Sequence, residues 1–169
     1  MAGQIVLTAS SSGTVTLVPA DTGNAFVSTL PARTGNVAVD GPAFRAYMAN
    51  AQTITATTFT KLNFNTESFD TNSNYDTTTY RFTPTVAGYY QVTANTYFSA
   101  TAQLYVYKNG SANITGAYLT SVGHSVAGLV YLNGSTDYIE IFYFGSAGIT
   151  TSNNSELANQ FAGFLARAT

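Results

Sequence analysis

The chain has 169 residues, 45% of them hydrophobic and only 8% charged, with a net charge of −2, where ordinary soluble domains carry about 25% charged residues. That length suits one β domain with a short extension. The weak negative charge excludes a broad positive field for nucleic acid, the 12 Tyr and 11 Phe argue against disorder, and the lack of cysteine excludes disulfides and thiolate metal sites.

Period-two alternation runs from end to end. Gln4 to Leu7 predicts a strand, and Thr14 to Val18 a second one, ended by Pro19. Asp21-Thr22-Gly23 predicts a turn before an extended Ala25 to Val27, and Val37 to Val39 is again extended. Asp40-Gly41-Pro42 marks a change of region, so the expected division is an extended arm at 1–41 and a head at 42–169. In the head, Ala43 to Met48 and Thr53 to Leu62 predict strands, and Asn63 to Tyr75 a loop with a short strand near Phe69. Thr79 to Phe82, Tyr89 to Phe98 and Gln103 to Lys108 follow as strands. Asn109-Gly110 is the strongest hairpin signal in the chain, because both central residues of a tight turn need positive φ. Ala117 to Leu132 predicts two strands broken near Gly123; Asn133-Gly134 is another turn; Tyr138 to Phe144 and Phe161 to Ala166 complete the set. Ser155 to Gln160 allows one helical turn at most. Many short strands split by Gly, Asn and Pro indicate a sandwich or a barrel.

Residues able to do chemistry are sparse. His124 is the only histidine, and its Gly123-His124-Ser125 surroundings do not match a nucleophile elbow, so a turn histidine is expected. Glu67 with Asp70, and Asp137 with Glu140, are the only close acid pairs, and both are expected to solubilise turns or strand ends. Asp70, Asn72, Asn74 and Asp76 alternate as a calcium loop would, but lack its Gly and terminal Glu. Asn109, Asn113, Asn133 and Asn153 head Asn-x-Ser/Thr triplets, here read as turn chemistry. The expectation is no catalytic residue, no cofactor and no metal. Met1 to Leu7 has neither the basic segment nor the apolar run of a signal peptide, and no stretch reaches the roughly 18 apolar residues of a membrane helix.

The head resembles a family. Ala43-Phe44-Arg45-Ala46, Phe64-Asn65, Tyr75-Asp76, then Phe82, Pro84, Gly88 and Tyr90 stand in the order of the C-one-q-like jelly rolls, the globular heads of complement's first component and relatives of tumour necrosis factor. Lys108-Asn109-Gly110, Leu129 to Gly134, Tyr138-Ile139-Glu140 and Phe161-Ala162-Gly163-Phe164-Leu165 continue that order. Two features depart from it: Gly134-Ser135-Thr136-Asp137 delays an acid that usually follows the glycine directly, and there is no collagen-like stalk. The resemblance implies an all-β jelly-roll sandwich of about ten strands that forms homotrimers. Tyr97, Tyr105, Tyr107, Phe142 and Phe144 are the candidates for the threefold interface, with ordinary core packing as the alternative for each.

In the arm, Gly13 to Leu17 and Leu30 to Val37 are similar to short segments of phage virion proteins. This resemblance implies a bacteriophage structural protein on the virion surface, assembled in the host cytoplasm. The chain reads as complete from Met1, with an arm too short to be the shaft of a tail fibre. Ile5, Val6, Leu7, Val15, Leu17, Phe26 and Arg33 are the candidates for attachment to the major capsid protein or another virion protein, because extended segments can add to the sheet edges of a partner. The expected function is capsid decoration or cement. The alternative is a receptor-binding tail tip that recognises host-surface glycan through loops such as Asn63 to Thr79 and Ser146 to Ser155.

Overall fold

The computed structural model describes residues 41–98, 100–120, 123–151 and 157–169. The expected arm and its attachment candidates lie outside these residues. Thirteen strands and no helix occur among the described residues. They are β1 (Ala43–Tyr47), β2 (Thr53–Ile54), β3 (Thr60–Lys61), β4 (Thr66–Asp70), β5 (Tyr75–Asp76), β6 (Arg81–Phe82), β7 (Ala87–Thr96), β8 (Ala102–Lys108), β9 (Ser111–Thr115), β10 (His124–Asn133), β11 (Ile139–Gly145), β12 (Ile149–Thr150) and β13 (Gln160–Ala168).

Five strands form the first sheet, in the order β10-β7-β13-β1-β4. The second sheet runs β5-β6-β11-β8-β9, with β3 also paired to β11, and β12 pairs with β2 as a separate ribbon. Alternation decides which side chains enter the core. Tyr90, Val92 and Ala94 of β7 and Val126, Val130 and Leu132 of β10 are buried, as are Leu104 and Val106 of β8 and Ile139, Ile141 and Tyr143 of β11. Phe44 stands at the centre, stacked on Tyr75 and Phe82 at 5.1 and 4.2 Å and edge-on to Phe161 at 4.8 Å. Across the β1–β13 ladder it faces Gly163. A Cβ there would lie 3.0 Å from the Phe44 ring, so glycine makes the room that the ring occupies.

The expected Asn-Gly turns are both present and tied together. Asn109 and Gly110 have φ of 51° and 79°, as a tight hairpin turn requires. Asn133 Oδ1 accepts from the backbone N–H groups of Ser135, Thr136 and Asp137, at 2.9 to 3.0 Å. The Asp137 carboxylate then accepts from Asn109 Nδ2 at 2.7 Å and Asn133 N at 3.1 Å and pairs with Lys108 Nζ at 2.8 Å. The delayed acid thus joins both turns.

The structure corrects four expectations. Thr53 to Leu62 is not one strand: a turn at Ala56 to Thr58, with Thr57 at φ 54°, splits it into β2 and β3. The short strand expected near Phe69 is present as β4, which pairs with β1. Among the described residues of Ala117 to Leu132 there is one strand rather than two; before β10, Leu119 makes an isolated bridge to Ala102. His124 is not a turn residue but the buried first residue of β10. Asp137 and Glu140 do not solubilise the surface; both are buried. Each is affordable there because it is paired: Glu140 Oε2 receives Lys61 Nζ at 2.9 Å and Arg81 Nε at 3.0 Å, joining β3, β6 and β11.

The pairing of Asp137 sets a pH dependence. The bond from Lys108, then that from Asn109, holds its carboxyl below the ordinary value of 3.8. A carboxyl whose folded pKa is depressed contributes stability that is present above the unfolded value and is lost as pH falls through the folded one. Thermal melts at pH 7 and pH 3 (roughly, on either side of that range) should therefore show a smaller acid-induced drop for Asp137→Asn than for the parent chain. Asp76, held low by Thr78 and Thr79, acts with the same sign in both proteins and cancels in the comparison. Equal drops would show that Asp137 is not held in this network.

Candidate interaction surfaces

Among the described residues, the outward faces of both sheets carry aromatic side chains that the core does not bury. Four of the five expected interface residues share one of these faces. On the outer side of the second sheet Tyr105 lies opposite Phe142, Gln103 opposite Phe144 and Tyr107 opposite Glu140. Tyr107 and Phe142 stack at 4.1 Å. Phe59, from the connection between β2 and β3, lies over them, 5.1 Å from Tyr105 and 4.7 Å from Phe144. The rings are half-buried against one another, and Phe59 remains 48% exposed. None of the four belongs to the inter-sheet core, whose β8 and β11 positions are the alternate ones.

Exposure is greater on the first sheet. Tyr89, Leu129, Tyr131, Phe69 and Phe164 are all exposed, Leu129 and Phe164 by more than half. Leu129 and Phe164 both register with Gln91, so the three form a row across β10, β7 and β13. Tyr89 and Tyr131 lie opposite one another with ring centroids 5.5 Å apart. This face was not singled out in the sequence, although Tyr89 and Tyr131 sit on the outward phase of strands whose inward phase is plain from Tyr90, Val92, Val130 and Leu132.

Tyr97, the fifth candidate, stands apart from both clusters. It follows β7, is 58% exposed, and donates its backbone N–H to Asn159 Oδ1 at 2.8 Å. It lines a cleft of about 360 Å³ with Asn95, Thr96, Gly123, His124, Ser125, Leu157 and Ala158. Leu157 is 85% exposed. Thr96 and His124 face each other in the β7–β10 ladder and are buried. Neither ring nitrogen of His124 nor Thr96 Oγ1 has a hydrogen-bond partner.

The alternating Asp and Asn run is committed to its own loop. Asp70 accepts from the backbone N–H of Asn72 and Tyr75, Asn74 Oδ1 accepts from Thr85 N, and Asp76 accepts from Thr78 and Thr79. Glu67 lies on the exposed strand β4, where partial desolvation, then Asp70 and Asp76, raise its carboxyl above the ordinary value. The two close acid pairs therefore separate in role: Asp70 shapes a turn, while Asp137 and Glu140 each hold cations of different strands.

No family model matches the chain, and no curated protein matches it. Among solved structures it is similar to the globular domain of zebrafish complement 1qA protein, with a TM-score of 0.53 and 22% identity over 77% of this chain and all of that one. Identity at that level speaks for the fold alone, and the fold is that of a complement-like jelly-roll head.

Proposed function

We propose that this chain is a non-enzymatic bacteriophage virion protein, a trimeric knob that decorates or cements the capsid. The observation that carries the trimer is the outer face of the first sheet, where Tyr89, Leu129, Tyr131, Phe69 and Phe164 stand exposed in a chain with only 8% charged residues. A contiguous apolar face of this kind is a subunit contact in waiting. The rings of the second sheet's cluster already cover one another and lie under Phe59, so the interface falls on the first face rather than on Tyr105, Tyr107, Phe142 and Phe144. The particle reading rests on the sequence of the arm alone, whose Gly13 to Leu17 and Leu30 to Val37 resemble short segments of phage virion proteins. A receptor-binding tail tip is the second reading, favoured by the cleft beside Tyr97.

A copy count against the major capsid protein, by quantitative mass spectrometry of purified particles, tests the reading. Hundreds of copies per particle place the chain on the lattice, a few tens or fewer place it on the tail, and its absence from particles ends the virion reading. Deleting residues 1–39 should leave a head of unchanged oligomeric state that no longer co-sediments with particles. Retained co-sedimentation would exclude the arm as the attachment device.

A further inference from the structure

The sequence contains Asn-Gly twice, at Asn109-Gly110 and Asn133-Gly134. Besides forming turns, this dipeptide has a reaction of its own, because glycine has no side chain to shield its backbone nitrogen. That nitrogen attacks Cγ of the asparagine. The new N–Cγ bond closes a five-membered succinimide, and the side-chain nitrogen leaves as ammonia, taking the glycine N–H proton. Water then opens the ring at either carbonyl and leaves aspartate or isoaspartate. The reaction needs a carboxamide free to swing and room for the ring.

The two sites differ on both counts. Asn133 Oδ1 is held by three backbone N–H groups, and Gly134 lies so close to the start of β7 that a Cβ on it would stand 2.3 Å from Ala87 N. Asn109 and Gly110 are exposed, and a Cβ on Gly110 would meet nothing nearer than Tyr138 Oη at 3.7 Å. Two bonds hold the Asn109 carboxamide. Its Nδ2 donates to Asp137 Oδ1 at 2.7 Å, and its Oδ1 accepts from Tyr138 N at 3.0 Å. The first is the stronger, because its acceptor is a carboxylate.

We propose that Asn109 is a deamidation site that Asp137 holds in check, and that its conversion unlocks the two Asn-Gly turns from each other. Conversion replaces the Nδ2 donor with a carboxylate oxygen. Two carboxylates then face each other across a contact that measures 2.7 Å, and like charges that close resist being ionised together. Asp137 also accepts from Asn133 N and pairs with Lys108, so its displacement reaches the second turn. The guard and the lock are the same side chain.

Peptide mapping by mass spectrometry, after incubation in mildly alkaline buffer, reads the conversion at each asparagine. In the full chain Asn109 should convert about tenfold or more slowly than in a synthetic peptide of residues 105–114, the weight of a hydrogen bond to a charged group. Asp137→Ala should remove most of that difference. Lys108→Met, which deletes the ion pair but leaves the bond to Asn109, should not. Asn133 should stay intact in all three chains. The proposal is overturned if Asn109 of the parent converts as fast as the peptide, or if Asp137→Ala leaves its rate unchanged. Conversion of Asn133 in step with Asn109 also overturns it, since that marks opening of the whole head. The unlocking has its own measurement. Asn109→Asp, the product made directly, should lower the melting temperature. Adding Asp137→Asn, which returns an amide donor to the contact from the other side, should recover part of the loss. No recovery means that the turns are not joined through these side chains, and the unlocking fails.

Discussion

Phe44→Ala should cost about 3–5 kcal/mol of stability, the range for deleting a fully buried aromatic ring. Against a total of about 5–15 kcal/mol for a domain, that leaves the head barely folded. The ring touches Tyr75, Phe82 and Phe161, from β5, β6 and β13, and so joins strands of both sheets. Its neighbours cannot collapse into the gap. Tyr75 is fixed by its hydroxyl donating to Phe64 O at 2.8 Å, and Gly163 across the ladder has no side chain to offer. Urea unfolding is the measurement: the midpoint should fall steeply while the denaturant slope stays constant. A loss under about 1 kcal/mol, typical of an ordinary substitution, would mean that the sheets do not pack around this ring.

The second large effect concerns assembly. Leu129→Glu places a carboxylate in the middle of the exposed row of the first sheet. In a three-fold assembly through that face each carboxylate is buried, and each buried charge without a partner costs several kcal/mol. Light scattering should then give the 17.8 kDa of a single chain, with unchanged far-ultraviolet circular dichroism, where the parent gives three times that mass. The position is already exposed in the single chain, so the fold has no reason to fail. Phe59→Glu supplies the comparison on the opposite sheet. It should leave the assembly intact; if it dissociates the chains and Leu129→Glu does not, the contact lies over Tyr105, Tyr107, Phe142 and Phe144 instead. A parent chain that is monomeric at micromolar concentration removes the trimer altogether.

Local chemistry made much of the head legible. Asn109-Gly110 and Asn133-Gly134 announced their turns because few other residue pairs accept positive φ, and the long alternations of β7, β8 and β11 fixed both the strands and their inward sides. The spaced Phe, Pro, Gly and Tyr positions carried the jelly-roll order. What stayed hidden depends on partners distant in sequence. Nothing local shows that Glu140 meets Lys61 and Arg81, so an acid bracketed by Ile139 and Ile141 was read as surface. His124 follows a glycine and resembles a turn residue until its pairing with Thr96 is known. Alternation also cannot say which of two outward faces will be covered, so Tyr105 and Phe142 drew attention and Leu129 and Phe164 did not. The strand near Phe69 was legible only in outline: Thr-Glu-Ser-Phe-Asp has a weak strand signal, and its pairing with β1 outweighs that local preference.

The position of β13 bears on how the chain reaches this state during synthesis. It lies in the middle of the first sheet, between β7 and β1, yet it is made after both of them. Until it leaves the ribosome, β1 and β7 each present an unsatisfied edge, and Phe44 lacks Phe161 and the space beside Gly163. Such non-local closure makes folding slow and leaves nascent chains sticky. A chain stopped short of Gln160 would therefore be expected in inclusion bodies rather than as a shorter, weaker version of the same head.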